Sequence, residues 1–161
     1  MNDGEREILR TERVAQMCVA LSQKIGMLKA IEHRYGQEGV EVIREAIRTD
    51  ICQWINAVVQ TQRKAGIGND INGLHTFWWE PNTDERIEYT FRDSEHYREY
   101  AISHCPFADF AVSQGNEHYA RLFFCDVYPL IASQYNSTLE VDIQRCKMDH
   151  DDMCVVRYTW R

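Results

Sequence analysis

Apolar residues recur at helical spacing through the first 65 residues and at strand spacing through much of the second half. Val14, Met17, Leu21, Ile25 and Leu28 are separated by 3, 4, 4 and 3 positions, a stripe down one helix that Tyr35-Gly36 ends. Ile43, Ile47, Ile51, Trp54 and Val58 follow at 4, 4, 3 and 4, and Ala65-Gly66 closes that helix. The two stripes predict a packed antiparallel hairpin over residues 1–65. From Gly66 to Asn82 the chain turns to Gly, Asn, Asp and aromatics, a loop with a short extended piece predicted at His75–Trp79. Phe77, Trp78 and Trp79 are too apolar to leave in water, so they either cover the core or wall a pocket.

Beyond this point the period becomes two. Ile87, Tyr89 and Phe91 alternate with polar residues, as do Leu139, Val141 and Ile143. Cys154–Trp160 is a third β-branched and aromatic run. Helices are predicted from Pro106 to Gln114 and from about Glu117 to Tyr135, the second interrupted at Pro129. The sum is a single α+β domain over 1–161: the helical hairpin packed with an antiparallel sheet of three or more strands and crossing helices.

Composition narrows the function. At 44% hydrophobic and 27% charged the chain is an ordinary globule with no apolar run long enough to span a bilayer. A net charge of −7 and the lack of a basic stripe argue against nucleic acid as a partner. A small molecule is expected instead, and the apolar helix stripes also permit association of two copies. The acidic N-terminal run is unlike a secretory leader, so a reducing cytoplasm is expected, where structural disulfides are rare.

The candidate chemistry is sulfur. Four of six cysteines fall in the last 57 residues: Cys105, Cys125, Cys146 and Cys154. Cys18 and Cys52 lie within the helical stripes and are expected as small buried hydrophobes. Cys105 precedes Pro106 at a predicted helix start, where backbone N–H groups favour a thiolate; a plain buried thiol is the alternative. Asp126 interrupts the apolar run Leu122–Ile131 and either faces solvent or is a buried base. Cys146 and Cys154 bracket a turn with His150 at its tip. Joined by Cys105 or Cys125, the set Cys146, His150 and Cys154 would make a zinc or iron site, although the tight CxxC knuckle is missing. Without metal they are thiols in a pocket, and no cofactor is required. His33, His75, His96 and His118 carry no pattern of their own.

Cys105-Pro106 opening a helix, Cys125-Asp126 about 20 residues on, and a final strand pair carrying Cys146 and Cys154 around an acidic turn resemble the L-2-amino-thiazoline-4-carboxylic acid hydrolase family over roughly residues 85–160. The Cys-x7-Cys hairpin is also similar to that of 4-vinyl reductase-type domains, which keeps a non-enzymatic small-molecule or metal-binding domain as the alternative. One position departs: where His150 stands, the family pattern usually has Gly. The resemblance implies a bacterial hydrolase that opens a cyclic amidine or a related C–N bond in a small heterocycle, the founding reaction converting an aminothiazoline carboxylate to N-carbamoyl-cysteine. On that reading Cys125 or Cys105 is the nucleophile, Asp126 binds the amidinium and shuttles a proton, and His150 or a cysteine partner assists the leaving group. Trp78 and Trp79 would exclude water, and Arg121 or Arg145 would hold the substrate carboxylate.

Overall fold

A computed structural model describes residues 2–160. Helix α1 (Asp3–Lys64) is two arms joined at Gly36, whose φ of 66° and ψ of −157° are not helical. A Cβ built on Gly39 would stand 2.8 Å from Cγ2 of Ile31, eight residues earlier. A continuous helix would separate those residues by about 12 Å along its axis, so the chain reverses here as the two stripes predict. Leu28 and Val40, on opposite sides of Gly36, bury together against Leu122. Leu21, Ile25 and Ile55 enter the main core with the sheet. In the second arm Ile55 is the deepest residue, while the expected Trp54 stays 46% exposed. Cys18 and Cys52 are half-buried.

The sheet has four antiparallel strands in the order β1-β2-β4-β3: β1 (Glu88–Asp93), β2 (Tyr97–His104), β3 (Leu139–Arg145) and β4 (Cys154–Trp160). Three are the strands the period-2 pattern marks. The unpredicted one is β2, a central strand, because charge hides it: Arg98 and Glu99 are only 7% and 9% exposed. Each buried charge is paired. Arg98 Nη2 donates to Asp93 Oδ2 at 2.8 Å. On the opposite face Arg92 and Arg157 both donate to Glu99, at 2.7 and 2.9 Å. Without such partners a buried charge would disfavour the strand by several kcal/mol, on the order of 3–5.

Between α1 and the sheet the chain winds through α2 (Ile71–Leu74), a π-helical turn His75–Trp79 and α3 (Glu80–Asn82). The expected extended piece at His75–Trp79 is therefore helical. The wider π turn lets Trp79 bury completely, stacked 3.9 Å from Tyr100 and 5.8 Å from Tyr128. Beyond β2 come α4 (Pro106–Ser113), α5 (Glu117–Phe123), a 3-10 turn Cys125–Val127 and α6 (Tyr128–Tyr135). The interruption expected at Pro129 falls earlier, at Phe124 (φ −124°, ψ −70°), and Pro129 sits in the first turn of α6, where its missing N–H is harmless.

One buried polar node ties three of these pieces together. Gln62 at the end of α1 donates to the Gly73 carbonyl at 3.1 Å and accepts from the Tyr135 hydroxyl at 2.6 Å. A Cβ on Gly73 would meet the Gly68 carbonyl oxygen at 2.1 Å and the Tyr135 hydroxyl at 2.4 Å. One of these is backbone and cannot step aside. Gly73→Ala is expected to lower unfolding free energy by about 1–3 kcal/mol, measured by denaturant midpoint, whereas Gly26→Ala, with open space around it, should not destabilise.

Candidate functional site

Four cysteines meet in one place. Cys105, Cys125, Cys146 and Cys154 all line a single enclosed cavity of about 30 Å³ between the sheet and the crossing helices. The rest of its wall is apolar apart from the Tyr128 hydroxyl, and includes Ile87, Ile102 and Met148. Each sulfur arrives by a different local device. Ile102 pairs with Cys154 across β2 and β4, which points both into the core. Cys105 ends β2 as the N-cap of α4. The break at Phe124 turns Cys125 inward in its 3-10 turn. Cys146 leaves β3 just before a second 3-10 turn, Lys147–Asp149.

The sulfurs are close enough to share protons. Cys125 and Cys146 Sγ lie 3.6 Å apart, and Cys125 Sγ is 3.9 Å from Met148 Sδ. Of these thiols, Cys146 is the one whose pKa is lowered. Contacts with the Cys125 and Cys154 sulfurs, the Met148 backbone N–H and the nearby Arg121 charge lower its pKa, together outweighing desolvation. The same proton sharing, with burial, drives Cys125 and Cys154 well above the ordinary thiol range. The N-terminal backbone N–H groups of α4 do favour a thiolate at Cys105, but burial wins and its pKa is raised.

Other candidates from the sequence lie outside this cavity. Asp126 neighbours Cys125 in the chain but faces the other way, two-thirds shielded by Arg121 at 2.8 Å and Arg44 at 3.7 Å. Of the two readings open for Asp126, the structure has the outer-face one. Arg121 is itself held by Asp126 and Asp149, so its guanidinium is already engaged. Arg145 pairs with Asp152 on the surface. Trp78 packs on Trp54 and Tyr128. Neither Trp78 nor Trp79 lines the cavity; of the two alternatives, these rings cover core, with Tyr128 between Trp79 and the thiols.

His150 is exposed at the hairpin tip with φ 68°. A left-handed backbone is one that glycine adopts more readily than a residue with a Cβ. The expected metal set of Cys146, His150 and Cys154 is not assembled. Among the described residues no group of three or more His, Cys, Asp or Glu is disposed to hold a metal ion. Nor is any helix among them long and apolar enough to cross a membrane.

The residue whose place pattern reading missed is Cys146, at the centre of the sulfur cluster. Its distinguishing feature is contact with two other sulfurs from distant segments, which spacing along the chain cannot show.

The family model described as L-2-amino-thiazoline-4-carboxylic acid hydrolase matches residues 13–158. No curated protein sequence matches the chain. Among solved structures, a trafficking protein particle complex subunit 3 from Naegleria fowleri, covalently bound to palmitic acid, has the same fold. The TM-score is 0.54 at 11% identity, over 94% of this chain and 96% of that one.

The lowered pKa at Cys146 has a sign that can be checked. A thiol depressed in the folded state favours folding above the ordinary thiol value, and that contribution is lost as pH falls toward the folded value. The raised Cys125 and Cys154 act oppositely, favouring folding below the ordinary value and losing that effect as pH rises. Ultraviolet thiolate absorbance should therefore show one thiolate, removed by Cys146→Ser, that persists from about pH 8.5 down to about pH 6, where an ordinary thiol would have protonated.

Proposed function

The chain belongs to the L-2-amino-thiazoline-4-carboxylic acid hydrolase family, and from that premise we propose that it is a hydrolase opening a small cyclic amidine, with Cys146 as nucleophile. The observation that carries the reading is the convergence of four cysteines on one apolar cavity, with Cys125 and Cys146 Sγ 3.6 Å apart. Such a cavity strengthens any charge interaction made within it.

The chemistry follows from the positions. The Cys146 thiolate adds to the amidine carbon, and the nitrogen that gains the electron pair takes a proton from the neighbouring Cys125 or Cys154 thiol. The adduct collapses by expelling the ring heteroatom, which leaves protonated. Water then displaces sulfur from the carbon and returns protons to the thiols, so the net change is one water added across a ring bond. Cys125 and Cys154, with raised pKa values, stay protonated at neutral pH and suit the acid role. Cys105 completes the wall and can hold the ring. Asp126 and His150, outside the cavity, have no place in these steps.

A second reading is favoured by one finding. The Naegleria fowleri protein of like fold carries palmitic acid covalently, and a cysteine in an apolar cavity could hold an acyl chain as a thioester in a non-enzymatic binding domain. A mass increase on the intact protein that hydroxylamine removes would favour it.

Turnover of 2-amino-thiazoline-4-carboxylate to N-carbamoyl-cysteine tests the enzyme reading. Cys146→Ser should lower kcat by on the order of 10³-fold or more, and Cys125→Ser by less. Asp126→Asn and His150→Gly should stay within about threefold of the parent, since neither touches the cavity. Full activity in Cys146→Ser would sink the assignment.

A further inference from the structure

The cavity holds about 30 Å³, roughly one water molecule's share of the liquid. No heterocycle reaches Cys146 unless a wall moves, and one wall residue is shared with solvent. Ile87 lines the cavity and also lines an open groove of about 590 Å³, together with Arg10, Arg86, Tyr89 and His104. Ile102 and Val156 line the cavity without reaching that groove. The chain crosses the same partition a second time, because His104 lies in the groove and the next residue, Cys105, in the cavity.

The backbone carrying Ile87 is irregular on both sides. Arg86 has φ 58°; among the described residues only it and His150 hold a left-handed conformation without being glycine. Such a conformation costs on the order of 1 kcal/mol in a residue with a Cβ. After Ile87 the register of β1 against β2 shifts between Glu88 and Tyr89, skipping Ser103. Bulges of this kind accompany sites where a side chain is re-aimed. Ile87 itself precedes the strand ladder, and its N–H bonds the Asn82 carbonyl at 3.2 Å. Its side chain can swing without breaking a sheet hydrogen bond.

We propose that Ile87 is the partition through which the thiol cavity is entered from this groove, and that its side chain sets the size of molecule reaching the thiols. The ligand class is a small planar ring with a polar end. The ring passes Ile87, and the polar end stays among Arg10, Arg86 and His104, now paired with Asp84, Glu7 and Asp109. A carboxylate on the ring would exchange with those acidic partners. The ligand identity rests on the hydrolase reading; the route does not.

Labelling of each cysteine, resolved by mass spectrometry, tests the route on the intact protein. Iodoacetamide serves as the small probe and a biotinylated maleimide as the large one. Ile87→Ala should raise the large probe's rate at the cavity cysteines by on the order of ten-fold relative to the small one. Ile102→Ala removes the same atoms from another wall and should leave that ratio near the parent's. Ile87→Phe should lower it. If the alanine variant does not fold, Ile87→Val should still exceed Ile102→Val. Equal acceleration from Ile102 and Ile87 truncation would overturn the proposal, since the cavity would then open by general loosening. A parent protein that turns over no aminothiazoline but keeps the labelling difference would remove the hydrolase reading and support the route.

Discussion

The register between β2 and β4 is the constraint on which the rest depends. With Tyr100 opposite Val156 and Ile102 opposite Cys154, one face of these two central strands supplies both an aromatic floor and a wall of the thiol cavity. Tyr100 and Tyr158 receive Trp79, and through Trp79 the packing passes to Tyr128 on α6. A slip of one residue would send Cys154 and Val156 to the other face and bring Arg157 inward. That error is opposed from outside the core. Glu99 of β2 lies between Arg92 of β1 and Arg157 of β4 on the solvent face, and these pairs form only in the native register. Glu99 is itself only 9% exposed, so a wrong register would leave a buried carboxylate without its partners.

Burial then acts on sulfur in two directions. It penalises a thiolate, which is why Cys105 is raised although the start of α4 lies beside it. It also removes water as a competing donor, so the thiols solvate one another. The outcome is unequal: contact among the three sulfurs lowers the pKa of Cys146 and raises those of Cys125 and Cys154. A lone buried cysteine would be inert. The group therefore behaves as a unit, and the acidity of any member is a property of the set rather than of that residue's own surroundings.

The helical hairpin, the strands β1, β3 and β4, and the start of α4 were legible because each is written in local periodicity or in a Pro or Gly stop. β2 was not, since Arg98 and Glu99 read as solvent-facing until their partners Asp93, Arg92 and Arg157 are placed around them. The aromatic run at Phe77–Trp79 declared that it must be covered but not by what geometry, because a π turn has no sequence period of its own. At the site, the grouping of late cysteines was legible as a grouping. Asp126 was harder: one residue after a cavity-lining cysteine, it turns outward because the helix breaks at Phe124 rather than at Pro129, and nothing local announces that break.

Backbone strain offers a further link between fold and site. Two residues with a Cβ, Arg86 and His150, adopt φ values of 58° and 68°, and each lies within two residues of the cavity wall. Arg86 adjoins Ile87, and His150 closes the turn that carries Met148; both Ile87 and Met148 line the cavity. Strain of this kind persists only where surrounding contacts over-determine the backbone. Around His150 such contacts exist, since the Cys146 N–H donates to Asp151 at 2.7 Å and the Lys147 N–H to the Cys154 sulfur at 3.3 Å. Arg86 is held by a surface pair with Glu7 and by an N–H bond to the Thr83 carbonyl at 3.2 Å. The two strained turns thus rest on different contacts. On the hairpin side a buried sulfur and a carboxylate hold the backbone beside Cys146, whereas the side chain of Arg86 is tied through a solvent-exposed pair, which is why the entrance is placed at Ile87.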